Sequence, residues 1–86
     1  MSHVPNELDI KTDLRRGVMA SYSSKKFADS NTITFVKNAE NNLELLKDKL
    51  GEKKYFEVKT RILKSKDTKK PIEKRREDLL TAYSLI

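Results

Sequence analysis

The chain has 86 residues, of which 37% are charged and 36% hydrophobic, and its formal net charge is +6. A chain this short supports one hydrophobic core. It has no cysteine and one histidine, which argues against disulfides, thiolate metal sites and histidine-dependent catalytic sites. No run approaches the roughly 18 apolar residues of a membrane-spanning helix, and residues 1–6 lack the pattern of a secretory signal. We therefore expect an intracellular protein, cytoplasmic or nuclear, with no membrane segment.

The N-terminal residues 6–22 fit a helix better than a strand. Three aliphatic residues and one aromatic residue recur at every fourth position, as one face of a helix requires: Ile10, Leu14, Val18 and Tyr22. Asn6 is a suitable N-cap, and acidic residues follow it. Residues 8–14 also alternate as a strand would, and Gly17 costs a helix about 1 kcal/mol relative to alanine. We predict the helix and keep a short strand as the alternative.

The next predicted helix covers residues 32–50, and a loop over residues 21–31 precedes it. Its apolar residues are separated by three or four positions and form one stripe: Ile33, Val36, Ala39, Leu43, Leu46 and Leu50. Gly51 can supply the left-handed conformation that commonly ends a helix. The β-branched start, residues 32–36, could instead form a short strand before a shorter helix.

Two further helices are predicted over residues 52–65 and 71–85. The apolar face of the first, with two flanking residues, is formed by Tyr55, Val58, Ile62, Phe56 and Leu63. In the second, Pro71 takes a favourable first position, because its missing amide hydrogen costs nothing there. The apolar side of this helix is formed by Ile72, Leu79, Tyr83 and Ile86.

These elements predict an all-α fold, a small bundle of three or four short amphipathic helices in a single domain over residues 1–86. Residues 1–5 and 23–30 are expected to be flexible. Isolated helices shorter than about 12 to 15 residues are marginal in water, so their apolar stripes must be buried together or against a partner. Folding of so small a core is close to break-even, and a homodimer, which would bury more apolar surface, is left open.

The positive charge is concentrated in residues 53–70. This segment holds eight basic and two acidic residues, whereas residues 1–52 hold eight of each and residues 71–86 three of each. The eight basic residues are Lys53, Lys54, Lys59, Arg61, Lys64, Lys66, Lys69 and Lys70. They predict a surface that binds nucleic-acid phosphates, with an affinity that falls steeply as salt rises. The same residues could instead form an ordinary solvated surface that keeps the protein soluble.

Sequence-specific DNA recognition is not expected. The helix predicted over residues 71–85 would be the recognition helix of a three-helix module, yet its charges balance, and Lys74 can pair with Asp78 one turn later. The connection over residues 66–70 is also longer than the turn of a helix-turn-helix motif. We expect contacts to the nucleic-acid backbone rather than to base edges.

Two other groups of side chains are candidate sites. Tyr55 and Phe56 lie beside basic residues and could stack on single-stranded bases, although core packing is the commoner role at helical spacing. Glu40, Glu44 and Asp48 form an acidic ridge that could meet a cation. Pairing of this ridge with nearby lysines of the same helix is the simpler expectation.

A protein-binding role is the alternative function. The apolar pairs Phe35–Val36, Tyr55–Phe56, Ile62–Leu63 and Leu79–Leu80, with Ala39 and Ile72, are spaced in a way that resembles the helical interaction modules of the paired-amphipathic-helix and harmonin-homology type. The resemblance implies a groove that holds a partner helix, and it assigns no role to individual residues. The chain would then be an adaptor or a small regulatory subunit.

Catalysis is not expected, because no part of the sequence combines an acid, a base and a nucleophile. Glycine-rich phosphate loops, HExxH motifs and EF-hand patterns do not occur in the sequence. We therefore expect no metal and no cofactor.

Overall fold

A computed structural model describes residues 6–24 and 30–86. This part of the chain contains five helices and no strand, which confirms the predicted all-α class. The helices are α1 (Glu7–Ser24), α2 (Ser30–Leu45), α3 (Lys47–Leu50), α4 (Glu52–Ser65) and α5 (Ile72–Leu85). The flexibility predicted for residues 1–5, and the part of the predicted loop over residues 25–29, lie outside the described residues.

Helix α1 begins at the predicted cap. The Asp9 amide donates to Asn6 Oδ1 at 3.1 Å, and the Asn6 amide donates to Asp9 Oδ2 at 2.7 Å. These reciprocal bonds satisfy two of the amides that a helix start leaves open. The helix continues to Ser24, and α2 already begins at Ser30, so the connection is shorter than the predicted loop.

The buried side of α1 differs from the predicted stripe at one position. Ile10, Leu14 and Val18 are buried, but Tyr22 is exposed and Ser21 is buried in its place. Ser21 satisfies its hydroxyl by donating to the Val18 carbonyl oxygen at 2.6 Å. A helix turns about 100° per residue, so each four-residue step moves about 40° around the axis. After three such steps Tyr22 has left the core side, and Ser21, one position earlier, faces the core instead.

The predicted helix over residues 32–50 is divided at Leu46. Helix α2 ends at Leu45 and α3 begins at Lys47, while the Leu46 amide donates to the carbonyl oxygens of both Asn42 and Leu43. Leu46 itself is buried, as the stripe predicted. Ile33, the first residue of the predicted stripe, is exposed near the start of α2.

Gly51 separates α3 from α4. Its φ of 87° is positive, as predicted, but its ψ of 154° is extended rather than left-handed helical. This combination is available almost only to glycine. Pro71 also lies one position from its predicted place, because it precedes α5 as the N-cap residue and the helix begins at Ile72.

The helices pack as two pairs joined through α1. Helix α1 lies against α2 and α5, and α4 lies against α5. The chain measures 34 × 30 × 17 Å along its principal axes. The core contains Ile10, Leu14, Val18, Val36, Ala39, Leu43, Leu46, Tyr55, Val58, Ile62, Leu79 and Ala82. Tyr55, Val58 and Ile62 of the face predicted for α4 are therefore buried, whereas the two flanking residues, Phe56 and Leu63, are exposed.

Two arginines of α5 bond to other helices: Arg75 bonds to α4 within its own pair, and Arg76 bonds to α1 in the other pair. Arg75 Nε donates to the Ser65 carbonyl oxygen at 2.6 Å, which satisfies an open acceptor at the C-terminal end of α4. Arg76 donates from Nε to Ser21 Oγ at 2.8 Å and from Nη2 to the Ser21 carbonyl oxygen at 3.0 Å. Its guanidinium also lies 3.8 Å from the centre of the Tyr22 ring. Burial of Arg75 lowers the pKa of its guanidinium.

Candidate nucleic-acid interface

Helix α4 carries five of the eight residues predicted to bind phosphates, Lys53, Lys54, Lys59, Arg61 and Lys64, and none of them is buried. Tyr55, Val58, Ile62 and Ser65 face the core. The other positions of α4 form three surfaces. One flank lies beside α2, a second flank lies beside α5, and the outer face lies between them. The two flanks and the outer face differ in how their cations are engaged.

The flank beside α2 is neutralised by the acidic ridge. Lys59 Nζ lies 2.9 Å from Glu44 Oε1, and Lys66 forms an ion pair with Glu40. The two glutamates are one turn apart on α2, and their partners are Lys59 within α4 and Lys66, the residue that follows the end of α4. The expected pairing of this ridge with lysines of its own helix is wrong for Glu40 and Glu44, whose ion-pair partners are Lys66 and Lys59.

Tyr55 strengthens this α2 contact. Its hydroxyl donates to Glu44 Oε1 at 2.5 Å and accepts from Lys59 Nζ at 2.9 Å. These bonds, from Tyr55 first and from Lys59 second, lower the pKa of the Glu44 carboxyl. The same contacts raise the pKa of the Lys59 amine. Tyr55 is thus a buried ring with a polar link between helices, and the stacking role considered for it is wrong because its ring lies in the core.

The flank beside α5 is organised by Asp78. This carboxylate is 6% exposed and receives Lys70 Nζ at 2.5 Å and Arg61 Nη1 at 3.6 Å. Lys74, the predicted partner of Asp78, instead lies 3.3 Å from Glu77. Four of the eight predicted phosphate-binding residues are therefore engaged by carboxylates of α2 and α5.

The other four cations form no ion pair with any described residue. They are Lys53, Lys54, Lys64 and Lys69, and we refer to them as the outer lysines. Lys53 and Lys64 lie on the face of α4 opposite the core, eleven positions and about 16 Å apart along the axis. Lys69 lies in the connection after α4, where its amide donates to Asp67 Oδ1 at 2.9 Å. Of the outer lysines, Lys53, Lys64 and Lys69 are exposed and Lys54 is half-buried.

Phe56 lies between the outer lysines of α4, and its side chain is 68% exposed. It lines two surface clefts. One, of about 370 Å³ between α4 and α5, also contains Arg61, Lys64 and Leu85. The other, of about 480 Å³ at the start of α4, also contains Lys53 and Lys47. Both clefts therefore combine an aromatic wall with cations and one carboxylate, Glu57 in the first and Glu52 in the second.

A polar cleft between α1 and α2 has no counterpart in the sequence predictions. It has a volume of about 410 Å³ and is lined by Asp9, Thr12, Asp13, Arg16, Asn38, Asn41 and Asn42. Asn42 Nδ2 donates to Asp13 Oδ2 at 3.0 Å. Burial raises the pKa of Asp13 in spite of this bond. The only signal in the sequence was the spacing of the three asparagines by three and one positions, which places them on one side of a helix.

Comparison of the chain with models of protein families, with curated proteins and with solved structures finds no match. No family therefore assigns a role to any of these side chains. Within residues 6–24 and 30–86, no helix is long and apolar enough to span a membrane. The same residues contain no group of three or more acidic or histidine side chains placed to hold a metal ion.

Proposed function

We propose that this protein is a non-catalytic binding module that contacts nucleic-acid phosphates through the outer lysines. The observation that carries the proposal is that the outer lysines have no carboxylate partner among the described residues. All four belong to one short segment, and two of them share the outer face of α4. Ammonium groups in this state can exchange their counterions for phosphates, which is the main source of non-specific nucleic-acid affinity.

The cations that already form ion pairs should contribute less to phosphate binding. Lys59, Lys66 and Lys70 already share their charge with Glu44, Glu40 and Asp78. A phosphate must compete with those carboxylates, so these residues add less to binding than an unpaired lysine. The proposed contact surface is therefore the outer face of α4 and the connection that follows it.

Backbone contact is favoured over base reading. The connection between α4 and α5 covers residues 66–71, which is longer than a helix-turn-helix turn. Two arginines of α5, Arg75 and Arg76, are engaged with the main chain and with Ser21. Helix α5 consequently lacks the free basic side chains with which a recognition helix reads guanine.

The test compares two pairs of exposed lysines. K53A/K64A removes outer lysines, and K37A/K49A removes the same charge from exposed positions of α2 and α3. Binding to duplex DNA is measured by fluorescence anisotropy between about 50 and 200 mM salt. We expect K53A/K64A to weaken binding and to reduce the log–log salt slope by up to about 2, at about 0.9 per phosphate contact.

We expect the control pair to bind as the wild type does, with an unchanged salt slope. Equal weakening by both pairs would show that only total charge matters. Absence of binding to DNA and RNA at low salt would refute the proposal.

A protein partner is the second candidate, because α4 also exposes apolar side chains. Phe56 and Leu63 are 68% and 49% exposed and lie two turns apart, the spacing with which an amphipathic helix meets a groove. In this case, F56A/L63A would abolish partner binding and K53A/K64A would leave it intact. Tyr55 is unsuitable for such a test, because it is buried and its substitution would damage the core.

A further inference from the structure

Phe56 is an exposed aromatic ring for which the fold has no evident use. Its neighbour Tyr55 is buried and bonded to Glu44, whereas Phe56 points away from the core and is 68% exposed. Tyr22 has similar exposure, but the Arg76 guanidinium covers its ring. Among the described residues, no cation is stacked on Phe56. A large apolar surface left in water in this way commonly marks a binding site.

Cations flank this ring on both sides. Lys53 lies one turn before it on the outer side of α4, and Lys64 lies two turns after it. The cleft on the C-terminal side also contains Leu85, Glu57 and Arg61, which faces Asp78, so Lys64 is the cation there without a carboxylate partner among the described residues. The ring therefore stands between two positive positions along a single helix, with open clefts on either side of it.

We propose that this surface binds single-stranded nucleic acid, with one base stacked on the Phe56 ring and the neighbouring phosphates bound by Lys53 and Lys64. The inference rests on the proposed function and specifies its ligand. An exposed aromatic ring in a positive groove is the usual means of binding single strands without reading their sequence. A duplex keeps its bases stacked and paired, so it offers phosphates to the lysines but no base to the ring.

Three variants of the full chain separate stacking from general apolar contact. F56L keeps an apolar side chain of similar size but removes the aromatic face, and F56Y keeps the face. K53A/K64A removes the flanking charge. Because Phe56 is exposed, none of the Phe56 variants should alter folding, which thermal unfolding followed by circular dichroism will check.

Binding is measured by fluorescence anisotropy with three probes of matched length: an oligodeoxynucleotide, an oligoribonucleotide and a DNA duplex. We expect the wild type to prefer the single strands. F56L should weaken single-strand binding by about 5- to 150-fold, the range measured when stacking is removed. F56L should leave duplex binding unchanged, and F56Y should bind all three probes as the wild type does. The two single-stranded probes distinguish DNA from RNA as the preferred strand.

The outcomes separate this inference from the proposed function. Equal binding of all probes by wild type and F56L, with weaker binding by K53A/K64A, would overturn stacking and leave the phosphate contact standing. Loss of single-strand binding in F56L and F56Y alike would also overturn stacking, since F56Y retains the ring. Absence of binding to every probe would overturn both proposals.

Discussion

Asp78 shows how one buried charge can organise two helices and a connection. It lies on α5 with 6% of its surface exposed, and it receives Lys70 from the connection and Arg61 from α4. A buried carboxylate is tolerated only where such partners replace its lost hydration. Its two cations remain partly exposed, so they can return to water if the carboxylate is removed.

We expect D78N to lower the free energy of unfolding by about 1 to 2 kcal/mol, because charge-assisted bonds become weaker neutral ones. Urea unfolding followed by circular dichroism measures the change. The control is E77Q, which removes an exposed pair with Lys74 and should change stability by less than about 0.5 kcal/mol. Equal effects of the two substitutions would show that Asp78 contributes no more than a surface charge.

Periodicity predicted much of the core, with Tyr22 and Ile33 as exposed exceptions, but not which polar groups meet. Val58, Ile62 and Leu79 were placed in the core from spacing alone, and all are buried. The Arg76–Ser21 contact joins residues 55 positions apart. Such a contact depends on how α1 and α5 cross and on side-chain rotamers, neither of which local spacing specifies.

At the scale of elements, the two glycines differ in whether their backbone conformation requires glycine. Gly51 connects α3 and α4 with a φ of 87° and a ψ of 154°. Gly17 lies within α1 in ordinary helical conformation, and a Cβ added there would meet Val36 Cγ2 at 3.4 Å and Phe35 Cβ at 3.6 Å, which are normal contacts. Only Gly51 therefore needs the freedom of glycine.

We expect G51A and G17A to change stability in opposite directions. G51A should lower the free energy of unfolding by about 1 to 3 kcal/mol, since alanine is strained in that backbone conformation. G17A should raise it by up to about 1 kcal/mol, because alanine is the better helix former and fits the site. Urea midpoints of both variants, with the wild type as reference, test this. A stabilised G51A or a strongly destabilised G17A would contradict the described packing.

The helices were predictable as elements because long apolar repeats outweigh local preferences. The β-branched residues 32–36 lie inside α2, where tertiary packing overrides their strand propensity. The break at Leu46 was not predictable, since the apolar stripe runs through it without interruption. Where a helix is interrupted depends on the elements it must contact, here α4, which contacts both α2 and α3.

At the scale of the whole molecule, the fold redistributes the charge that the sequence segregates. Residues 53–70 hold eight of the 19 basic residues, but Glu40, Glu44 and Asp78 draw four of them into ion pairs. The sequence could indicate a basic segment. The sequence could not show that the acidic ridge of α2 faces this basic segment. The glutamates of α2 and the lysines that they pair with are 15 or more positions apart in the chain.

The pH dependence of stability tests this redistribution. The Tyr55 and Lys59 bonds lower the pKa of Glu44 below 4.5 in the folded state. The unfolded chain therefore takes up this proton first, so the stabilisation is complete above pH 4.5 and is lost as the pH falls. Asp13 acts in the opposite direction, because burial raises its folded pKa above 3.8. Its contribution is favourable in acid and is lost as the pH rises through the folded pKa.

We therefore expect E44Q and D13N to change the acid response with opposite signs. Between about pH 6.5 and pH 3, E44Q should lose less stability than the wild type, and D13N should lose more. Urea midpoints of the three proteins at both pH values measure the difference, and E73Q on the exposed start of α5 is the control. Identical pH responses of wild type and E44Q would mean that Glu44 does not hold α4 in solution. In that case Lys59 would be released from its carboxylate and would join the outer lysines as a phosphate contact.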